Sequence, residues 1–237
     1  MPDATRKRTD DAVQAIELLR EHSLATLAQR ELERRIISGE IEAGAKLNEI
    51  DVAVALGVSR GPVREAFRAL SQAGLVRVEK NRGVFVRQVS LEEASEFYEV
   101  RAALEGLIGR LAARRISSGE VDELRAVVRR MHQVQKTRRA EDYFALNVEF
   151  HDLLARAARN NALAANYRGV VNQLDLYRRA TISRNLDNLP LSTQEHEAII
   201  DAVAARDERR AEQLLTGHVL VSRERLRVAL GLAPASD

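Results

Sequence analysis

The chain has 237 residues, 45% of them hydrophobic, 30% charged and 4% aromatic, with no Cys or Trp and a formal net charge of +2. That length supports one large or two modest domains with real cores, and the balance excludes a disordered chain, a disulfide framework and Cys-based zinc sites. No apolar run approaches the ~18 residues of a membrane span and MPDATRKRTDD leads into no secretory apolar segment, so the cytoplasm, with no membrane partner, is the expected compartment.

Residues 1–22 read as a flexible extension. SLATLAQRELERRIISGE, residues 23–40, carries an apolar stripe of helical period that ends at the breaker Gly39, and GEIEAGAKL reads as a short connection. In NEIDVAVALG, Asn48 is an N-cap and Gly57 a stop for a compact helix. After the turn, Ser59 is placed to cap a second helix, whose first turn tolerates Pro62 because the early N–H groups have no intrahelical partner. Two short helices about a tight turn make a helix-turn-helix. Val63, Ala66, Phe67 and Leu70 share its packing face, and Arg60, Arg64 and Arg68 line an adjoining one. The N-terminal end of such a helix usually enters the major groove, where Arg can bond guanine or clamp a phosphate. LVRVE and VFVRQV then alternate as a two-stranded hairpin turning at Gly83, a wing with Lys80, Asn81 and Arg82 at its tip.

Charge marks the same region. Residues 57–90 hold Arg60, Arg64, Arg68, Arg77, Lys80, Arg82 and Arg87 against Glu65 and Glu79, whereas acids and bases cancel from residue 91 onward. A local basic excess is the footprint of a module that meets a polyanion; a solvated helix face is the plainer alternative.

Beyond residue 90 the pattern is helical. Ser90 with Glu93, Ser117 with Glu120 and Ser192 with Glu195 have capping-box spacing, and helices are expected at 91–115, 118–137, 139–159, 161–184, 192–206 and 208–230, with no strands among them. Six helices with short connections predict an antiparallel bundle able to hold a ligand. The predicted fold class is mainly α, an N-terminal winged helix-turn-helix followed by a C-terminal antiparallel all-α bundle, with 23–89 as the DNA-binding domain, 90–231 as the effector-binding and dimerisation domain and 232–237 as a tail. Several polar residues lie in the bundle's apolar stripes. Asn147 and His151 sit one turn apart among Leu146, Phe150, Leu153 and Leu154; His196 joins Ile199, Ile200 and Val203; His218 joins Leu214 and Leu215; and Arg101 falls between Phe97, Leu104 and Ile108. On spacing alone, a metal site and a hydrogen-bonded polar network are equal readings of the three histidines.

The run SGEIEAGAKLNEIDVAVALGVSRGPVREAFRALSQAGLVRVEKNRGVFV resembles the winged helix-turn-helix of the GntR family of bacterial transcription regulators. The resemblance implies DNA contact by Ser59, Arg60, Arg64 and the wing around Gly83, and one departure is Ile50, where some members carry a further DNA-contacting arginine. NVEFHDLLARAARN, EHEAIIDAVAARD and GHVL resemble the FCD effector domain of FadR-type members of that family. That likeness implies a divalent metal held by His151, His196 and His218 with Asn147 in place of the usual acidic ligand; zinc is the first choice, with nickel or manganese as alternatives, since nitrogen-rich sites are not selective by affinity alone. It also implies that Arg101 faces the effector; Glu105, one turn on, is placed to pair with it. HSLATLAQRELERRIISGE and KNRGVFVRQVS further resemble FCD regulators found with phosphonate-utilisation genes.

These readings predict a ligand-responsive DNA-binding regulator, a repressor in the first instance, that binds a palindromic double-stranded operator as a homodimer. Its expected effector is a small carboxylate or other oxyanion, 2-aminoethylphosphonate among the candidates. A metal-dependent hydrolase is the rival with a catalytic role, but the sequence has neither HExxH nor a nucleophile elbow, and no catalytic residue is assigned. A DNA-architectural protein without an effector is the other rival; polar residues within an aliphatic bundle argue against it, because burying them is costly.

Overall fold

The structure, a computed structural model, describes residues 23–137, 139–179 and 189–229. The expected N-terminal extension, the tail and the last residues of the 161–184 and 208–230 helices lie outside the described residues. The chain divides into two compact units between Gln88 and Val89.

In the first unit, α1 (Leu24–Ser38) starts at Ser23, whose hydroxyl accepts the Thr26 N–H, and stops at Gly39 in the left-handed region. β1 (Lys46–Leu47) leads into α2 (Glu49–Leu56), capped by the Asn48 side chain accepting from the Ile50 N–H at 2.9 Å and ended by Gly57 at φ 65°. α3 (Arg60–Gln72) buries Val63, Ala66, Phe67 and Leu70, its predicted apolar face, while α1 buries Ala28, Leu32 and Ile36; α3 packs against both α1 and α2. Ser59 does occupy the N-cap position, but its hydroxyl makes no capping bond. The wing is β2 (Val76–Glu79) and β3 (Gly83–Val86), antiparallel with Val76 opposite Val86 and Glu79 opposite Gly83. Two strands were expected and three form: β1 pairs with β3, Lys46 opposite Phe85, giving the order β1-β3-β2. A two-residue strand is too short to show alternation.

The second unit contains α4 (Leu91–Arg115), α5 (Ser118–Thr137), α6 (Ala140–Ala157), α7 (Asn161–Arg179), α8 (Leu189–Ala204) and α9 (Glu208–Ala229), with no strand among its described residues. The capping boxes of α4 and α5 form as read: Ser90 and Glu93 exchange bonds, as do Ser117 and Glu120. The third does not, because α8 already begins at Leu189 and Glu195 lies inside it. α4 is the central helix, packed against α6, α7, α8 and α9. Its approach to α9 depends on small residues: a Cβ on Gly109 would lie 2.7 Å from the Ala211 carbonyl oxygen, and one on Gly106 would meet the Thr216 hydroxyl. The main core gathers Ile108, Leu124, Met131, Phe150, Leu154, Ile199 and Leu215. A smaller one around Tyr98, Leu174, Val219 and Leu226 lies toward the other end of α4.

Candidate DNA interface and candidate metal centre

In the first unit, the residues singled out for DNA are all exposed: Ser59, Arg60, Arg64 and Arg68 on or beside α3, and Lys80, Arg82 and Gly83 at the turn of the wing. Asn81 and Gly83 take positive φ, 62° and 113°, which makes the turn tight. The sequence reading missed two features here. Phe85 is ringed by cations, with Lys46 Nζ, Arg77 and Arg82 5.9, 5.9 and 5.8 Å from its centroid; β1 is what brings Lys46 to the wing. And Glu49, the first residue of α2, accepts from Arg60 Nη2 at 3.0 Å and from Arg64 Nε at 2.8 Å through one carboxylate oxygen. Arg64, then Arg60, hold that carboxyl below the usual carboxylate range. Residue type gave no sign of this, since Glu49 also reads as an ordinary acid at a helix start.

In the second unit, α6, α8 and α9 bring His151, His196 and His218 together. One ligand-capable nitrogen of each lies within 4.8 Å of the others, and ring centroids are 5.5 Å apart for His151–His196, 5.2 Å for His151–His218 and 4.7 Å for His196–His218. All three are buried, as is Asn147 one turn before His151. Phe150 stacks at a tilt on His196 with centroids 4.3 Å apart, closing that side with an apolar ring.

The outer nitrogens of two histidines face carboxylates, His218 through a hydrogen bond and His151 at ion-pair distance without hydrogen-bond alignment. His151 Nδ1 is 2.8 Å from Glu105 Oε2, and His218 Nδ1 is 2.7 Å from Glu195 Oε2. Each carboxylate is tied to an arginine in turn: Arg101 Nε donates to Glu105 at 2.7 Å, and Arg225 Nη1 donates to Glu195 at 3.0 Å. Two Arg–Glu–His chains thus converge from α4 and α6 on one side and from α8 and α9 on the other. A carboxylate on one ring nitrogen fixes the tautomer and turns the other nitrogen toward a metal. The inner nitrogens match that chemistry, for His151 Nε2 and both nitrogens of His196 are buried without a hydrogen-bond partner. Burial lowers the His151 pKa to about 4 against the opposing pull of Glu105, and burial followed by the neighbouring His218 holds His196 well below its ordinary value. Both rings are therefore neutral at neutral pH, the form that ligates. Burial disfavours charge on Arg101 and Glu105, yet each outweighs it for the other: the guanidinium stays above its usual pKa and the carboxyl below. The donor set fits a divalent ion.

Arg101 is buried beside the cluster with its charge already matched by Glu105, a pairing visible in the sequence as an i, i+4 spacing. Glu195 and Arg225 were missed. The spacing from Ser192 reads Glu195 as part of a cap, and its bond to His218 spans two helices, which periodicity does not reveal. A groove of about 450 Å³ between α8 and α9, lined by Leu191, Glu195, Gln213, Leu214, His218 and Val221 among others, opens onto the His218 edge of the cluster.

Residues 24–86 match the family described as bacterial regulatory proteins, gntR family, and residues 96–220 match the FCD domain. A probable D-xylose utilization operon transcriptional repressor of Paenarthrobacter nicotinovorans is 33% identical over 186 residues, covering 78% of this chain and 80% of that protein. The transcriptional repressor RspR of Escherichia coli K12 is 27% identical, covering 80% and 83%. Among solved structures, a GntR-type regulator from Rhodococcus sp. RHA1 superposes with a TM-score of 0.70 at 28% identity, covering 90% of this chain and all of that one. McbR/YncC of E. coli gives 0.76 at 20% identity over 87% and 98%, a likeness of fold. The chain belongs to the GntR family of bacterial regulators with an FCD domain, and is a ligand-responsive DNA-binding transcriptional regulator.

Proposed function

We propose that this regulator binds a divalent metal ion in its helical unit and senses a small oxyanion there, and that the bound anion changes its affinity for an operator. The observation that carries the reading is the buried histidine cluster: His151 Nε2 and both nitrogens of His196 lack partners, while Nδ1 of His151 and of His218 lies 2.8 and 2.7 Å from a carboxylate oxygen. His151, His196 and His218 would hold the ion, with the Asn147 amide oxygen as a weaker fourth donor. Zinc is the first choice, nickel and manganese the alternatives, because nitrogen-rich sites are not selective by affinity alone.

Charge favours an anion as the second ligand. Arg101 is balanced by Glu105 and Arg225 by Glu195, so a dication held by neutral imidazoles and an amide leaves excess positive charge in a buried site. A carboxylate, phosphonate or similar oxyanion would relieve it, with Arg101 close by and the α8–α9 groove as its entrance. On the DNA side, residues 23–89 would carry operator binding: Arg60, Arg64 and Arg68 in the major groove, Ser59 at the phosphate backbone, and Lys80, Arg82 and Gly83 on the wing. Residues 90–231 would hold two copies together to meet a palindromic operator. Repression is the direction suggested by the names of the relatives.

Elemental analysis of protein purified without a His-tag tests the metal, and a thermal-shift screen of carboxylates and phosphonates, with and without zinc, tests the anion. About one metal equivalent and anionic hits that need it are expected. Metal-free protein that takes up no added zinc, nickel or manganese would contradict the first part; neutral or cationic hits would contradict the second.

A further inference from the structure

We propose that Glu49 is a positioning residue for DNA reading, whose carboxylate fixes the guanidinium groups of Arg60 and Arg64 in one geometry before the duplex arrives. The proposal rests on α3 being the DNA-reading helix, as argued above.

Arg60 and Arg64 lie one helical turn apart and carry like charge, an arrangement that repels and leaves two long side chains free to spread into water. Glu49 opposes both effects, since its Oε2 accepts from the two of them at 3.0 and 2.8 Å. Its own place is fixed: it is the first residue of α2, just after the Asn48 cap, where the helix end favours an anion. The pattern of donors matters as well. Arg64 uses Nε for Glu49, which leaves both terminal nitrogens, the pair that matches guanine O6 and N7; Arg60 uses Nη2 and keeps Nε and Nη1. The carboxylate therefore holds each arginine without using up its capacity for a base or phosphate.

A structural role explains the arrangement less well. Both arginines are 55% exposed and Glu49 30%, and exposed ion pairs contribute little to stability. What such a bracket can change is discrimination. Ordering the side chains beforehand lowers the entropic cost of the specific complex, and one negative charge beside two positive ones weakens the unspecific pull of phosphates.

The test compares wild type, Glu49→Ala and Glu49→Gln on two duplexes: one that the wild-type protein selects from a randomised pool, and a scrambled version of it. Circular dichroism and thermal unfolding establish that the variants fold. In Glu49→Ala the ratio of the two affinities should fall about tenfold or more, with affinity for the scrambled duplex unchanged or higher. Glu49→Gln, which keeps an acceptor oxygen, should lose less. In an Arg60→Ala/Arg64→Ala background, Glu49→Ala should have no further effect. An unchanged ratio in Glu49→Ala, or equal losses on both duplexes, overturns the proposal while leaving the assignment of α3 intact if the arginine variants lose binding. Unchanged binding by Arg60→Ala and Arg64→Ala overturns that assignment, and the proposal with it.

Discussion

At the scale of single residues, charges in this protein work in tied groups rather than alone. Glu105 lies between Arg101 and His151, so Glu105→Gln should leave the ring of His151 less firmly held and weaken zinc binding about 10- to 100-fold, as read by competition with a chromogenic chelator. Removing Arg101 alone leaves a buried carboxylate uncompensated. Arg101→Ala should cost about 3–5 kcal/mol of stability, and the double variant Arg101→Ala/Glu105→Ala should cost less than the single changes summed; chemical denaturation measures both. On the DNA side, Arg60→Ala and Arg64→Ala should each lose about 1–3 kcal/mol of affinity for the selected duplex in gel shifts where the residue reads a base. The histidines were legible in the sequence because each interrupts an apolar stripe. Of the carboxylate pairings only Glu105 with Arg101, one turn apart on one helix, was legible, and the reach of Glu105 to His151 on another helix was not. Glu195 reaches His218 across two helices, and Glu49 reaches two arginines on the next helix; sequence separation carries no signal for such pairs.

Helix ends and helix contacts set the next scale. The boundaries of α4 and α5 could be read because a capping box is local chemistry, with partners three residues apart. The same spacing at Ser192 and Glu195 misled, because the helix runs back to Leu189 and Glu195 bonds to another helix instead. β1 escaped notice since two residues show no period, yet it completes the wing's sheet and brings Lys46 beside Phe85. The cap at α5 has a pH signature. Arg159, then the Ser117 N–H, lower the Glu120 pKa to about 2. A carboxyl depressed in the folded state stabilises above its unfolded value near 4.5 and loses that contribution as pH falls toward about 2. Glu120→Gln keeps a capping side chain and removes the charge, so it should be about 0.5 kcal/mol less stable than wild type at pH 6, with the gap closing between pH 4.5 and 2 in thermal unfolding. The α4–α9 contact makes a separate demand. Gly109→Ala drives a methyl into the Ala211 carbonyl and Leu215 and should cost about 1–3 kcal/mol. Gly119→Ala, where nothing lies within 4 Å, should cost nothing in the same denaturation experiment.

For the whole molecule the question is linkage. The candidate DNA interface lies in the first unit and the histidine cluster in the second. If an anion bound at the cluster alters duplex affinity by some factor, duplex must alter anion affinity by the same factor. No described helix is long and apolar enough to cross a membrane, and residues 24–86 match a family of bacterial regulatory proteins. The most direct measurement follows the fluorescence anisotropy of the selected duplex as protein is added, for zinc-loaded protein with and without the strongest oxyanion from the thermal-shift screen, and for His196→Ala treated alike. The account predicts that the oxyanion shifts duplex affinity about fivefold or more and that His196→Ala, still folded and still binding the duplex, abolishes the shift. An oxyanion that stabilises the zinc-loaded protein yet leaves duplex affinity unchanged, or a shift that survives in His196→Ala, would contradict it.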